Sequence, residues 1–559
     1  MKKDKQAIAH GARRHLLGTA VAALCAGLCT GAAAFEIDTG NDDVQMRFDN
    51  TVRYNYGQRV QDQSRVIINN PNYDDGDRNF GKGDTINNRV DVLTEFDVVY
   101  QKKFGARVSA ASWYDAAYGG SFSNTSLATE NHLAYGKPAF GLSDYAKRYY
   151  NGPSGEIMDA FAFGTVDLGS MPLSMRLGRT TVNWGESLLG AGAIHGISYG
   201  QAPLDQGKAL AIPGIEAKEL YIPRDQISGQ LQVTPELAVA GQYFLEWRPT
   251  RIPESGTYLG FGDFYQFGGQ SLINPALPGG RAYRGNDITP KESGDWGLMT
   301  RWSPQWLDGT MGFYARNFSD TIPQVVLLAG AKSQYFFNYG SDIDMYGVSL
   351  SKQIAGISFG LDVNYRRNMP LVGDIVSIRS AAQLPAPGET LGARGNTAHV
   401  VLNAIGSIGA TPLFNSASWA AELTFSQWLS VTQGAQYFKG RDGYTGIDRV
   451  SKNATGLALN FSPTWYQVFP GMDLSMPLSF SMGLAGNSAV ASGGNKNAGS
   501  YGVGLGLDMY SKYRFDLKYV GYFGDNALNV AGTAIQTPNG SQALLKDRGA
   551  VFLTFKTTF

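Results

Sequence analysis

The chain has 559 residues, and its 47 basic and 47 acidic side chains give a formal net charge of zero. It contains 70 glycines and 12% aromatic residues, whereas only 17% of its residues are charged, against about 25% in average soluble domains. This composition disfavours coiled coils and disordered tails. The lack of a basic cluster argues against nucleic-acid binding, which needs a positive face to displace phosphate counterions.

The first 34 residues have the three parts of a secretory signal peptide. Lysines and arginines come first, residues 16–28 are mostly apolar, and three alanines precede Phe35. We therefore expect residues 1–34 to be cleaved after export by the general secretory route, leaving residues 35–559 as the mature protein. A retained membrane anchor fits less well because the apolar run contains glycine and threonine. Both cysteines lie in the segment that would be removed, so disulfides and cysteine-bound metals are not expected.

Beyond this segment the strongest pattern is the alternation of apolar and polar residues. In residues 44–56 the even-numbered positions are apolar apart from Asn50. The odd-numbered positions include Arg47, Asp49 and Arg53. Since successive side chains on a strand point to opposite faces, each such run predicts a strand with one apolar and one charged face. The apolar faces carry almost no lysine or arginine, as lipid would require, because a basic residue facing lipid costs about 2–4 kcal/mol at mid-bilayer.

Short and long connections between these runs alternate along the chain. Bacterial outer-membrane barrels show the same alternation, with short turns on the inner side and long loops on the outer side. We predict an all-β protein, a transmembrane antiparallel up-and-down β-barrel of about 18 strands, or about 16 if one pair is spurious, with both termini in the periplasm. The strands are expected to start near residues 44, 88, 106, 157, 172, 225, 237, 294, 310, 344, 357, 396, 417, 453, 472, 500, 513 and 549.

The last segment, residues 551–559, alternates strictly and ends in Phe559. It resembles the C-terminal strand by which outer-membrane proteins engage the barrel-assembly machinery. Such a strand would close the ring and leave no free edge in the membrane. We therefore expect the protein to lie in the lipid bilayer of the outer membrane.

Two predicted outer loops, residues 185–222 and 257–283, are unusually apolar. Fully exposed, they would form a large apolar patch, so we expect them to pack on something. Folded into the lumen, they would partly plug it and offer an apolar, aromatic pocket for a small molecule. Packed on one another, they would instead form an external cap. The candidate ligand-binding residues are Trp184, Ile194, His195, Tyr199, Phe261, Phe264, Tyr265 and Phe267.

Charged residues predicted to face the lumen, such as Glu95 and Arg366, could pair across the interior and hold these loops in place. Alternatively, they could simply line an open water channel, since porin interiors are polar.

Two further features are candidates for chemistry. His195 and Ser198 could act as a base and a nucleophile, but no acid stands nearby to orient the base, so we do not expect an enzyme. An acidic run could bind Ca²⁺ through Asp75, Asp77 and Asn79, because Ca²⁺ takes six to eight oxygen ligands. A solvated acidic loop is the simpler interpretation, and no cofactor is expected.

Several motifs in the first half of the chain are distinctive. They are DYAKRYY at 144–150, EIMDAF at 156–161, LGR at 177–179, WGE at 184–186, AIHGISY at 193–199, QAPLD at 201–205 and PGIEAKEL at 213–220. Together they resemble the Gram-negative outer-membrane family catalogued as domain-of-unknown-function family 1302 (DUF1302). The resemblance covers nearly all of the chain after the signal peptide.

The resemblance implies an outer-membrane barrel, often found beside a resistance-nodulation-division type transporter and a periplasmic lipid-carrier-like protein, and traffic in hydrophobic compounds. It implies no catalytic or ligand residues. The expected function is passage of hydrophobic or poorly soluble small organic molecules by diffusion. The alternatives are a general polar porin and a surface receptor or structural protein.

Overall fold

A computed structural model describes residues 35–559, so the predicted signal peptide, residues 1–34, lies outside the described residues. Eighteen antiparallel strands form a closed barrel. They are β1 (Val44–Arg59), β2 (Thr85–Tyr100), β3 (Phe104–Asp115), β4 (Ser154–Leu168), β5 (Met171–Thr180), β6 (Arg224–Thr234), β7 (Leu237–Phe244), β8 (Trp296–Trp302), β9 (Gly309–Phe318), β10 (Ile343–Ile354), β11 (Ile357–Pro370), β12 (Arg394–Ile408), β13 (Ser416–Gln433), β14 (Asn453–Phe469), β15 (Met472–Ser475 and Leu478–Ala485), β16 (Gly499–Met509), β17 (Tyr513–Phe523) and β18 (Ala550–Thr558). The prediction of an 18-strand barrel is confirmed, and every predicted start lies within three residues of the observed one.

The ring closes between the last strand and the first. β18 pairs with β17 on one side and with β1 on the other, in register from Thr51 opposite Thr558 to Arg59 opposite Ala550. Below this ladder a short strand, Phe35–Ile37, pairs with the beginning of β1. Closure satisfies the backbone hydrogen-bonding groups of the terminal strands, which have no water to bond within a bilayer.

The two faces of the wall differ in chemistry. Leu505, Leu517 and Leu553 lie side by side on β16 to β18, and each side chain is about half exposed on the outer surface. On β11, Val363 is exposed, whereas its neighbours on either side in sequence are polar and buried. An apolar outer belt around a polar interior is the arrangement of a transmembrane barrel.

The short connections lie at the end of the barrel that holds both termini, and the long loops lie at the other. The long outer loops are residues 60–84, 116–153, 181–223, 245–295, 319–342, 371–393, 434–452, 486–498 and 524–549. Helices occur only in these loops within the described residues. They are α1 (Arg65–Ile68), α2 (Asp75–Asn79), α3 (Asp144–Tyr150), α4 (Gly190–His195), α5 (Gln206–Ala211), α6 (Ala217–Leu220) and α7 (Ser541–Leu544). Within residues 35–559, no helix combines the length and apolarity needed to cross a membrane.

The outer loops pack on one another as a cap over the barrel. Loops 245–295, 319–342 and 371–393 contribute five short strands to a second sheet. The strands are Ser271–Ile273, Arg281–Arg284, Gln324–Leu328, Gln334–Asn338 and Val376–Ile378. Two short hairpins add to the loops, Leu133–Ala134 with Lys137–Pro138 and Asn526–Leu528 with Ile535–Pro538. Because the sheet joins loops that are distant in sequence, the cap is a structured layer over the outer mouth.

Replacing Leu517 by arginine should destabilise the barrel in phospholipid vesicles by about 2–4 kcal/mol, because the charge would face the hydrocarbon. Urea titration of the vesicle-inserted protein would measure the loss. The Leu517→Phe control keeps the apolar surface and should unfold near the wild-type midpoint. Equal stability of Leu517→Arg and wild type would contradict the assignment of this face to lipid.

Candidate functional site: a plug across the lumen

The long loop after β5 folds into the barrel, and residues 181–223 are called the plug below. Arg366 of β11 donates a hydrogen bond to the carbonyl of Gly196 at 2.9 Å. Arg53 of β1 pairs with Glu219, near the other end of the plug. Since β1 and β11 lie on opposite sides of an 18-strand ring, the plug crosses the lumen. The prediction that the loop over residues 185–222 folds inward is therefore correct.

One carboxylate of the wall holds the start of α4. Glu422 on β13 is buried and accepts hydrogen bonds from the backbone N–H groups of Leu188, Leu189 and Gly192 at 2.7, 3.1 and 3.1 Å. Three N–H groups converging on one carboxylate make charge-assisted hydrogen bonds, which are stronger than neutral ones. Glu422 therefore fixes both the position and the orientation of this part of the plug.

A second carboxylate and an arginine act on the same wall. Asp362 of β11 accepts from the backbone N–H groups of Glu186 at 2.9 Å and Ile197 at 3.1 Å. Arg316 of β9 donates to the carbonyls of Ile197 and Tyr199, both at 2.7 Å. The wall thus offers acceptors to the N–H groups of the plug and donors to its carbonyls. Backbone groups of the plug take the place of water around the charged side chains of the wall.

The opposite wall holds the plug by ion pairs. Arg53 and Glu219 form two parallel hydrogen bonds of 3.0 and 2.9 Å, and both side chains are buried. Lys218 of the plug pairs with Glu95 of β2, and Lys556 of β18 pairs with Glu216 of the plug. Breaking a buried pair leaves an uncompensated charge and costs about 3–5 kcal/mol. The prediction that lumen charges hold the loop is met at Glu95 and Arg366, while the anchors Glu422, Asp362 and Arg316 were not singled out in sequence.

Four of the eight candidate residues lie in the plug, where they are buried. Trp184, Ile194 and Tyr199 belong to an apolar cluster inside the lumen, and inward-facing residues of the wall complete it. The Trp184 ring lies 6.1 Å from that of Tyr314, and the Tyr199 ring lies 5.9 Å from that of Phe318, measured between centroids. This cluster places apolar surface in the interior, which in a porin is polar.

His195, the fourth, is also buried and has two polar partners. Its Nε2 lies 2.8 Å from the carbonyl of Gly493, and its Nδ1 lies 2.9 Å from Nδ1 of His399. Because a carbonyl only accepts, Nε2 carries the proton, and neutral His195 accepts at Nδ1 from His399. Ser198 is not a partner, since its Oγ lies 3.1 Å from Oγ of Ser187. The histidine and serine considered as a catalytic pair therefore serve separate contacts.

The other four candidates lie in the cap. Tyr265 stacks on Phe264 at 4.5 Å and on Phe337 at 5.9 Å between ring centroids, and Phe267 lies 5.1 Å from Tyr145. Phe261 packs against buried residues of neighbouring outer loops. The structure thus divides the eight residues between the plug and the cap, and those in the cap do not form a single cluster.

The expectation that residues 257–283 line the lumen is correct only at the start of the segment, where Tyr258 and Leu259 cluster with inward-facing wall residues such as Phe552. The rest lies in the cap, where the strand Arg281–Arg284 pairs with a strand of the loop after β9.

The residues considered for Ca²⁺ are also separated. Asp77 lies between Arg59 and Arg548, with N···O distances of 2.5 and 3.1 Å, so its charge is compensated. Asn79 donates through Nδ2 to the carbonyl of Gly256. Asp75 alone of the three belongs to a group of carboxylates whose oxygens converge, with Asp74 and Asp263.

Comparisons with known proteins agree with the resemblance found in the sequence. The family model described as "Protein of unknown function (DUF1302)" matches residues 15–559. No curated protein matches the chain.

Similar solved structures include OccAB2 of Acinetobacter baumannii, at 10% identity and a TM-score of 0.41, covering 92% of this chain and 98% of that one. Another is OpdK of Pseudomonas aeruginosa with vanillate, at 10% identity and a TM-score of 0.39, covering 92% and 98%. A third is OccD3 (OpdP) of Pseudomonas aeruginosa, at 10% identity and a TM-score of 0.39, covering 94% and 93%.

Replacing Glu422 by glutamine should loosen the plug without opening the barrel wall. The amide oxygen can keep the bonds from Leu189 and Gly192, but the amide nitrogen cannot accept from Leu188, so we expect a loss of about 1–3 kcal/mol. Hydrogen exchange followed by mass spectrometry should report about 5- to 150-fold faster exchange at residues 188–192, with the strands unchanged. Glu389→Gln, on an exposed outer loop, is the control. Unchanged protection in Glu422→Gln would contradict the anchoring role.

Acidification should also loosen the plug, at His195. Burial lowers the pKa of His195 to about 4, whereas a released histidine has a pKa of about 6.5. The released form therefore binds the proton more readily, so the contact is fully stable above about pH 6.5 and weakens as the pH falls towards 4. Ion conductance in planar bilayers should rise between pH 7 and pH 5 in wild type and rise less in His195→Gln. An equal rise of the conductance in wild type and His195→Gln would contradict the role of His195 in the pH dependence.

Proposed function

This chain belongs to the DUF1302 family, and we propose that it is an outer-membrane channel through which hydrophobic or poorly soluble small organic molecules pass by diffusion. The observation that carries the proposal is the apolar cluster formed by the plug inside the lumen. A solute would enter from outside, contact apolar side chains of the plug and pass on when the plug shifts. The step requires neither ATP nor a covalent intermediate.

The plug also offers apolar surface that is not buried in the cluster. Leu188 is 43% exposed, and Leu189 and Ile215 are half-buried. Apolar surface in contact with water costs about 25 cal/mol per Å², so a hydrophobic solute gains free energy by covering these side chains. A freely hydrated sugar gains nothing comparable, which favours the hydrophobic class over that of a general polar porin.

Passage requires the plug to move, because it crosses the lumen. Side chains such as Glu422 and Arg366 hold it to the wall by hydrogen bonds and ion pairs, and its apolar side chains pack against the wall. Water can replace the polar contacts in turn, and a hydrophobic solute can replace the apolar ones. Large loop motions of this kind occur within microseconds to milliseconds. The plug is thus suited to act as a gate.

The family resemblance and the fold support further parts of the proposal. We infer that residues 1–34 direct export and are removed, and that the barrel-assembly machinery inserts the mature chain into the outer membrane. A resistance-nodulation-division type transporter and a periplasmic lipid-carrier-like protein are the proposed partners on the periplasmic side. No chemical step is assigned to the protein.

Proteoliposomes test the proposal directly. Wild-type protein should pass a small apolar fluorescent solute, and Leu188→Asn should slow that passage by about two- to tenfold, because it removes apolar contact surface. Sugar permeation should change little. Leu413→Asn, at an exposed leucine in a short inner turn, is the matched control. If the wild-type barrel passes sugars freely and neither binds nor passes any apolar solute, the protein is a general polar porin instead.

A further inference from the structure

Three aspartates from two outer loops meet in the buried interior of the cap, and Glu130 of a third loop precedes Asn131, whose N–H bonds to Asp75. Asp74, Asp75, Glu130 and Asp263 are each at most 1% exposed. One carboxylate oxygen from each of the three aspartates lies within 4.8 Å of those from the other two. Buried acidic groups are rarely gathered in this way unless a cation or hydrogen-bond donors compensate them.

Each carboxylate uses only part of its hydrogen-bonding capacity. Asp75 Oδ2 accepts from the N–H of Asn131 at 2.9 Å, and Asp263 Oδ2 accepts from the N–H of Asp75 at 3.1 Å. Glu130 Oε1 accepts from Nδ2 of Asn124 at 2.6 Å. In each carboxylate one oxygen accepts a hydrogen bond that positions the side chain. The second oxygen has no hydrogen-bond partner among the described residues. The free oxygens are Asp74 Oδ1, Asp75 Oδ1, Asp263 Oδ1 and Glu130 Oε2.

A neutral oxygen beside the carboxylates is free as well. Asn131 is fully buried, and its Nδ2 donates to Oδ1 of Asn72 and to the carbonyl of Ser271. Its own Oδ1 has no donor within the described part of the chain, although its backbone N–H bonds directly to Asp75. A buried amide oxygen without a donor needs either a hydrogen bond or a cation, and it is a normal ligand of a hard cation.

Neighbouring side chains balance only part of the negative charge, although Arg281 donates to the backbone carbonyl of Glu130 at 2.8 Å. Asp74 pairs with Arg78 at 2.5 Å, whereas the other three carboxylates form no ion pair among residues 35–559. Four buried carboxylates therefore share a single ion-pair partner within the described residues, and each keeps one oxygen without a hydrogen bond.

We propose that Asp74, Asp75, Glu130 and Asp263 form a Ca²⁺ site that ties three outer loops together and holds the cap closed. Two oxygens that each lie about 2.4 Å from one Ca²⁺ are at most about 4.8 Å apart, which matches the spacing of the aspartates. Ca²⁺ accepts irregular shells of carboxylate and amide oxygens, whereas Mg²⁺ demands octahedral geometry and retains water molecules, for which a fully buried cluster leaves little room. The ion would take the place of the missing positive charge.

The test uses the full mature chain, refolded in detergent free of lipopolysaccharide, because lipopolysaccharide itself binds Ca²⁺. After treatment with EGTA, calorimetric titration with CaCl₂ should reveal one bound Ca²⁺ per chain, and millimolar Ca²⁺ should raise the Tm. Asp263→Asn should bind Ca²⁺ at least tenfold more weakly. Asp62→Asn, at an exposed aspartate that pairs with Lys82 in the same loop as Asp75, should bind like wild type.

A comparison in EGTA separates an ion ligand from a residue that merely supports the fold. Without Ca²⁺, Asp263→Asn removes an unbalanced buried charge, so its Tm should equal or exceed that of wild type. With Ca²⁺ the order should reverse. The proposal is overturned if wild type binds no Ca²⁺, if Asp263→Asn binds as tightly as wild type, or if Asp263→Asn is less stable than wild type in EGTA.

Discussion

Hydrocarbon offers no hydrogen bonds to a polypeptide backbone, and the rest of the structure follows from that constraint. Every strand in the membrane must pair on both sides, so the sheet has to close, as it does between β1 and β18. Closure fixes the direction of each side chain, because alternate residues face lipid and lumen. The lipid face accepts leucines such as Leu517, and most charged residues of the strands are left to the interior. Asp344 and Arg367, which face outward, pair with each other near the outer ends of their strands.

An interior filled with charged side chains creates a second requirement, since each charge needs a partner. Water meets this need in an open porin. Here the plug backbone meets much of it: its N–H groups bond to Glu422 and Asp362, and its carbonyls accept from Arg316 and Arg366. The plug is thus held by polar contacts, which water can replace, together with apolar packing around Trp184 and Tyr199, which a hydrophobic solute can replace. A loop held in this way can move while the wall stays rigid.

The cap and the plug form one continuous system at the outer end of the barrel. Asp320, in the loop after β9, accepts a hydrogen bond from the hydroxyl of Tyr199 in the plug at 2.5 Å. Its carbonyl accepts from Nε1 of Trp247 in the cap at 3.2 Å. Because Asp320 contacts both the plug and the cap, a movement of the cap shifts a hydrogen-bond partner of the plug. Contacts that hold the outer loops together therefore also restrain the plug.

The sequence alone determined the barrel and the alternating faces of its strands, because alternation of side chains is a local property and lipid penalises exceptions. It predicted about 18 strands and left 16 open, and the closed ring of the structure decided the number. It also indicated which loops are too apolar to stay exposed. The destinations of those loops depended on partners far away in the chain. Trp184 and Tyr199 entered the lumen because the wall offers them anchors, whereas Phe264 stayed in the cap because its loop pairs with other loops. Likewise, alternation placed Glu422 inside but did not identify its partners, and only the folded chain brought Asp263 beside Asp75. Contacts between residues so distant in sequence leave no periodic trace, so tertiary structure alone decided them.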